Sequence, residues 1–361
     1  MIYNVKLHTV SPIHIGCDQS YTPVNFVIDA DKSTLIEFDL WDFINSLDEK
    51  EYMKLMDISE NKSPIALVHL YRFYAERKNR IKGRTIPIPK ELADRYRDVK
   101  QFQNESDVIR EFNEFEIPKT FYNPYTGKPL IPGSSIKGSI RTAYVEGLIK
   151  EEGNIAHYID REKYPKYTDI EEKILQGKTK TDPFRLLKLS DFEPQGEVKT
   201  EIIFQVNVRK LNNTSKESLS VPVEIIPAGS IFKGTLVIEE PLAHSGISKK
   251  LDLTELLLKT HSHYAGIFNK EIDLRKIKGF GLPNLSEYRE MFKLKYFLLR
   301  LGKHSGAEAV TWEGLRKIKV KTREGTQIMD SSTTIWLASK QKKPSNLSIT
   351  MSFGWAILEV L

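Results

Sequence analysis

The side chains best suited to bind an anion lie in one short stretch near the middle of the chain. Residues 130–142 read LIPGSSIKGSIRT, in which a Pro-Gly turn is followed by two serines, a lysine and an arginine. Serine is a common helix cap, so the stretch predicts a helix that runs to about Lys150. The amide N–H groups and partial positive charge at a helix start suit a phosphate. The candidate residues there are Gly133, Ser134, Ser135, Lys137, Gly138 and Arg141.

Lys137 and Arg141 stand four residues apart and therefore share one face of the predicted helix. Both can add full charge to the same anion, and Gly138 would let a ligand or a second backbone come close. The spacing differs from the GxxxxGK[ST] nucleotide-binding loop, because Gly133 and the Lys137-Gly138 pair stand in the wrong order. The same residues also fit an ordinary capped surface helix with a solvated lysine and arginine.

Two further segments place histidine or basic residues beside glycine. In SPIHIG at 11–16, which follows a predicted strand, His14 could contact a base or phosphate or be a hydrogen-bonded structural residue, and Gly16 permits a sharp turn. In RLGKHSGAEAV at 300–310, which follows an apolar strand, a glycine-rich loop offers main-chain donors and positive charge to a phosphate. The candidate residues of this second segment are Arg300, Gly302, Lys303, His304, Ser305 and Gly306.

The charge distribution points to a polyanionic partner. The whole chain carries a net charge of +6, whereas residues 275–323 hold thirteen Lys or Arg against four Glu, a local charge of +9. Basic residues alternate at 317, 319, 321 and 323, so on a strand they would form one stripe. Such a stripe is either a solvated face or an RNA-binding edge, and beside a glycine-rich loop we favour RNA.

Composition excludes several classes of protein. Cys17 is the single cysteine, which rules out an internal disulfide and a thiolate-based zinc site. The N-terminus has no signal-peptide pattern, and no apolar run approaches the ~20 residues of a membrane span. We therefore expect a cytoplasmic protein with no membrane partner, no metal and no other cofactor.

Hydrophobic patterning predicts a mixed chain of strands and helices in two domains. Region 39–114 is predicted to be largely helical, and the aromatic and basic residues at 71–80 fit either a buried stripe or an RNA surface. Residues 158–182 are predicted to form a loop. A helix over 251–268 carries His261 and His263, which would point to different faces and could not readily share a metal.

The three glycine-containing segments carry a resemblance to a known family. The PIHIG loop and the PGSSIKGSIR motif resemble segments of many RAMP proteins, and together with the loop LRLGKHSGAEAV they occur in the order found in one RAMP family. In particular, the chain resembles the two-domain RAMP subunit at the guide-RNA 3′ end of Csm-type (type III-A) CRISPR interference complexes. The last loop is the most specific of the three, and region 39–114 matches only in general character.

This resemblance implies an α+β fold of two ferredoxin-like, RRM-related domains with antiparallel sheets, at 1–195 (with the helical insertion at about 39–114) and 196–361. It implies binding of the 3′ part of the crRNA, contact with the backbone RAMP subunits, and support of crRNA trimming by recruited host nucleases. The subunit itself is not the nuclease in this family. The RNA-binding residues carried over are His14, Gly16, Gly133, Ser134, Ser135, Lys137, Gly138, Arg141, Arg300, Gly302, Lys303, His304, Ser305 and Gly306.

Two alternatives remain open from the sequence. A metal-independent, repeat-processing endoribonuclease would use His14 or His304 as general base, although nothing in the sequence shows that the two meet. A protein-docking scaffold would use the basic stripe to meet acidic partners. No carboxylate cluster suited to metal-dependent cleavage is evident, so the sequence favours a binding protein without catalytic residues.

Overall fold

A computed structural model describes residues 1–99, 106, 116–153, 166–211, 220–322 and 325–361. The predicted α+β class with antiparallel sheets is confirmed. The strands are β1 Ile2–Thr9, β2 Gly16–Tyr21, β3 Phe26–Asp29, β4 Thr34–Phe38, β5 Gly83–Pro87, β6 Ile117–Thr120, β7 Leu187–Leu189, β8 Glu193–Pro194, β9 Glu201–Arg209, β10 Ser220–Ile225, β11 Ile231–Ile238, β12 Tyr296–Arg300, β13 Ile318–Thr322, β14 Gly325–Met329, β15 Thr334–Ser339, β16 Met351–Ser352 and β17 Trp355–Val360. The α-helices are α1 Leu40–Asn45, α2 Glu49–Glu60, α3 Ile65–Glu76, α4 Lys90–Val99, α5 Gly133–Glu152, α6 Tyr167–Ile174 and α7 Leu253–Lys278.

The main sheet joins the two ends of the chain. Its spatial order is β12-β17-β1-β11-β7, with β8 also pairing with β11. Strand β1 pairs antiparallel with β11 on one side, where Lys6 faces Lys233, and with β17 on the other, where Leu7 faces Leu358. Taken without the inserted segments, β1-α5-β7-β11-α7-β17 follows the connectivity and strand directions of one ferredoxin-like unit, with β12 added at the edge beside β17.

This arrangement differs from the prediction of one ferredoxin-like unit in each half of the chain. The main sheet draws β1 and β7 from before residue 195 and β11, β12 and β17 from after it. Strand pairing is decided by packing between distant segments, which hydrophobic periodicity does not reveal. Strand pairing within one sheet does not test the bounds 1–195 and 196–361, which stay a prediction about domains.

Helices α5 and α7 pack against each other and cover the main sheet. Helix α5 buries Ile136, Ile140 and Ala143, which recur at helical spacing. Helix α7 starts at an Asp252 side chain that accepts from the Glu255 amide at 2.8 Å, and it ends at Gly279 with φ of +79°. The buried face of α5 is thus set by its apolar spacing, and both ends of α7 are capped.

A second sheet has the order β10-β9-β15-β16, and a third, β3-β4-β5, carries helices α1 to α4. The helical prediction for 39–114 is confirmed over most of the described residues, with β5 as an unexpected strand. Residues 100–105 and 107–114 lie outside the described residues. Tyr71, Phe73 and Tyr74 are buried, so the aromatic stripe of α3 is core and not an RNA surface.

The region predicted to be a loop at 158–182 contains helix α6, whose Ile170 and Ile174 are buried against the core. Those two apolar residues at i and i+4 were the available signal for a short helix; residues 158–165 lie outside the described residues. Within the described ranges, no helix has the length and apolar character needed to cross a membrane.

Candidate nucleic-acid interface

The first and last predicted segments meet in the fold. The Lys303 amide donates to the His14 carbonyl at 2.9 Å, and the Leu301 amide donates to the Gly354 carbonyl at 2.8 Å. The Gly354 amide in turn donates to the Pro12 carbonyl at 2.9 Å. We call this assembly of residues 12–16, 301–306 and 353–355 the loop junction. Segments almost 300 residues apart in the sequence are thus held together by their backbones.

Glycine is needed at the loop junction because the backbones approach so closely. Gly302 has φ of +78°, and a Cβ at this position would stand 2.4 Å from the His14 carbonyl oxygen. Gly354 has φ of +90°, and its Cβ would stand 2.5 Å from the Leu301 carbonyl oxygen. His304 also lies in the left-handed region, with φ of +71°. Packing of one loop on another explains these glycines without a phosphate.

The imidazoles of His14 and His304 are stacked, with ring centroids 5.8 Å apart. His14 is buried, and its Nδ1 donates to the main-chain oxygen of Glu224 at 2.8 Å. Burial lowers the pKa of His14 to about 4 and that of His304 to about 3. Acid–base catalysis is most efficient with a pKa near the working pH, so both rings are poorly suited to it at neutrality. The pair that an endoribonuclease would need does meet, but in a setting that does not favour that reaction.

Arg300 is an interior cation. Its Nη1 lies 2.6 Å from Glu271 Oε1, its Nε donates to the Phe353 carbonyl at 2.8 Å, and it packs over the Trp355 ring at 4.7 Å. Ser305 is buried beside it. Among the predicted residues of this loop, Lys303 is the one that is exposed. The loop junction therefore offers its charge to a ligand through Lys303.

The helix start of the central motif is closed by an internal carboxylate. Helix α5 begins at Gly133, whose amide donates to Asp191 Oδ1 at 2.9 Å. The prediction that Ser134 or Ser135 caps the helix is wrong, because both lie inside the first turn. A Gly133 Cβ would stand 2.4 Å from the Ser190 carbonyl oxygen, so this glycine allows the helix to pack against the segment after β7.

Lys137 and Arg141 do share one face of α5, and together they line a cavity of about 270 Å³. Lys137 Nζ donates to the Leu187 carbonyl at 2.8 Å. Arg141 contacts Glu171 at 2.8 Å and Asp182 at 2.7 Å, and these carboxylates raise its pKa against the effect of burial. The arginine thus already has two anionic partners inside the protein.

The predicted residues divide by exposure into three groups. Exposed ones are Gly16, Ser134, Gly138 and Lys303, and half-buried ones are Ser135, Lys137, Arg141, Gly302, His304 and Gly306. Buried ones are His14, Gly133, Arg300 and Ser305. Gly138 is open to its surroundings, since a Cβ there would meet no atom within 4 Å. In the basic stripe, Lys319 is exposed on β13, whereas Arg323 lies outside the described residues.

Sequence reasoning missed a buried carboxylate that organises this region. Glu224 Oε1 accepts from Tyr122 Oη and Thr200 Oγ1, each at 2.7 Å. Its Oε2 accepts from Tyr21 Oη at 2.9 Å and from the Thr120 amide at 3.0 Å. Glu224 therefore has two roles: its main-chain oxygen accepts from His14, and its carboxylate joins β10 to β2 and β6. The signal in the sequence was a single glutamate inside the apolar run VPVEII at 221–226.

Comparison with known proteins defines the class to which this fold belongs. The family model described as the RAMP superfamily matches residues 6–267, so this chain belongs to the RAMP superfamily. The predicted resemblance to RAMP subunits of Csm complexes is confirmed.

Among individual proteins, the chain is similar to the "CRISPR system Cms protein Csm5" of Streptococcus thermophilus, with 28% identity over 200 residues. That match spans 53% of this chain and about half, 52%, of the relative. A chain of a cryo-EM structure of a Csm-crRNA-target RNA ternary complex matches with a TM-score of 0.61 at 18% identity. The crystal structure of T. onnurineus Csm5 matches with a TM-score of 0.54 at 17% identity. Each structural match covers 99% of this chain and all of the other, and at these identities it establishes the fold.

Proposed function

We propose that this chain is a Csm5-like, crRNA-binding subunit of a type III-A effector complex. In this role it holds the 3′ part of the crRNA, contacts the neighbouring RAMP subunits and supports trimming of the crRNA by recruited host nucleases. The observation that carries the proposal is the loop junction, which brings two family motifs together beside the most basic part of the chain. The fold match to a chain of a crRNA-containing Csm complex supports it.

The exposure of the motif residues suggests a division of roles. Gly16, Ser134, Gly138 and Lys303 would contact the sugar-phosphate chain directly, and Lys137 would contribute charge from the edge of its cavity. The buried residues of the motifs would position these contacts, because their polar groups already have internal partners. Contacts of this kind recognise the RNA backbone and read little sequence.

The proposal is tested by measuring RNA affinity over a salt series with the purified chain and with the assembled complex. Each phosphate neutralised on a single strand contributes about −0.7 to the slope of log K against log salt. We expect Lys303→Ala to lower the affinity for all RNA sequences and to reduce the magnitude of that slope by about 0.7, the contribution of one phosphate. Lys54→Ala is the matched control, since Lys54 is an exposed lysine of helix α2 in the insertion.

Absence of RNA binding near physiological salt, both in the chain and in the complex, would overturn the proposal in favour of the docking scaffold. Incubation with labelled crRNA precursor in EDTA tests the endoribonuclease separately. We expect no cleavage above background. Metal-independent cuts that disappear in His14→Ala or His304→Ala would establish the enzyme instead.

A further inference from the structure

A second cavity adjoins the loop junction through His304, Ser305 and Gly306. It has a volume of about 310 Å³ and is formed by helix α7, the turn at 305–308 and strand β15. One wall is aliphatic and comes from Ile267, Leu274 and Ile277 of the helix. The lining also includes the half-buried Trp336, whose ring centroid lies 5.3 Å from that of His304. Aliphatic side chains and an indole ring in one cavity suit a flat ring.

The charged groups around this cavity are held by internal partners. Among the lining residues, Arg300 is paired with Glu271 at 2.6 Å. Lys210 Nζ lies 2.6 Å from Glu308 Oε1, and Arg316 Nε donates to the Thr311 hydroxyl at 3.2 Å. These lining charges are therefore largely compensated inside the protein. A neutral heterocycle matches such a lining.

The volume restricts the size of the ligand. About 310 Å³ lies at the lower end of the roughly 300–1,000 Å³ typical of small-molecule sites. One base fits such a space and an oligonucleotide does not. His304 lines the cavity and directly follows Lys303 in the chain, so a strand whose phosphates contact this lysine would pass close to the cavity.

We propose that this cavity, which we call the Trp336 pocket, receives one unstacked base of the bound RNA and stacks it on Trp336. The inference rests on the proposed RNA-binding function and adds to it one base-binding site. Stacking on an aromatic side chain tolerates any base, because every base has a π face. The pocket would therefore fix the register of the strand at one nucleotide without selecting a sequence.

The test is an abasic scan, in which single nucleotides of a guide-length RNA are replaced in turn by abasic ones and affinity is measured. For the wild-type chain we expect one position at which loss of the base weakens binding by about tenfold, the range expected when one stacked base is lost. In Trp336→Ala, the intact RNA should bind about tenfold more weakly and that position should no longer differ from its neighbours. Trp336→Phe should restore much of the effect.

Trp41→Ala is the matched control, because Trp41 is 72% exposed on α1 of the insertion. It should bind as wild type does and give the wild-type scan. If the wild-type chain binds intact RNA and no abasic position weakens that binding more than its neighbours do, the base-binding role of the Trp336 pocket is contradicted and the proposed function stands. Loss of all RNA binding by the wild type would overturn both. The wild-type scan needs no protein variant, so it is independent of any folding defect in Trp336→Ala.

Discussion

Two glycines of the central motif differ in role: Gly133 serves packing of helix α5, whereas Gly138 is accessible for binding. Gly133 begins α5 and touches the backbone after β7, whereas Gly138 lies one turn later in open space. We therefore expect Gly133→Ala and Gly138→Ala to change stability in opposite directions. If Gly133 served only RNA binding, Gly133→Ala would not lower stability.

The magnitudes follow from the surroundings of each Cβ. At Gly133 it would stand 2.4 Å from the Ser190 oxygen and 2.7 Å from the Leu189 oxygen, both backbone atoms that cannot rotate away. Overpacking of this kind costs about 1–3 kcal/mol, and weakening of the Asp191 cap adds about 1 kcal/mol. At Gly138 the methyl meets nothing, and alanine in a helix interior gains roughly 0.5–1 kcal/mol over glycine.

The assay is thermal unfolding of both variants beside the wild type. With an unfolding entropy of about 2 cal/mol/K per residue, these free energies correspond to a fall of about 3–5 °C for Gly133→Ala and a rise of about 1 °C for Gly138→Ala. Equal melting temperatures would refute the packing role of Gly133. RNA affinity is measured in parallel, and an unchanged affinity of Gly138→Ala would remove this glycine from the proposed contacts.

Two further predictions concern the region around the loop junction. Glu224→Leu should lower the free energy of unfolding by about 3–5 kcal/mol in urea titrations, because three buried donors and the half-buried Tyr122 hydroxyl lose their acceptor. Glu201→Leu, at a half-buried position of the neighbouring strand, is the control. A similar loss in this control would contradict the reasoning. Since burial lowers the pKa values of His14 and His304 below the usual 6.5, their contribution to stability is present above pH 6.5 and is lost as the pH falls through about 4 and about 3. His304→Asn, which suits the left-handed backbone, should flatten the decline in urea midpoint between pH 7 and 4, and a decline as steep as that of the wild type would show that this ring is not responsible.

Local physical rules were sufficient for several features of this protein. The α+β class, the helix after the Pro-Gly turn and the shared face of Lys137 and Arg141 follow from periodicity and spacing over a few residues. So does the concentration of positive charge in 275–323. The family motifs also lie within short stretches, which is why they were visible without any knowledge of the fold.

The tertiary structure alone decided which motif residues are accessible and what their polar groups contact. The amide at the start of α5 is hydrogen-bonded to Asp191, Arg141 is paired with Glu171 and Asp182, and Arg300 is paired with Glu271. Each partner except Glu271 lies at least 30 residues from the residue it contacts, and Glu271 lies 29 residues away. Local rules act over about one helical turn or one strand pair, so they predict which types of side chain share a face. Long-range packing determines whether the charge of such a side chain is paired inside the protein or is accessible to a ligand.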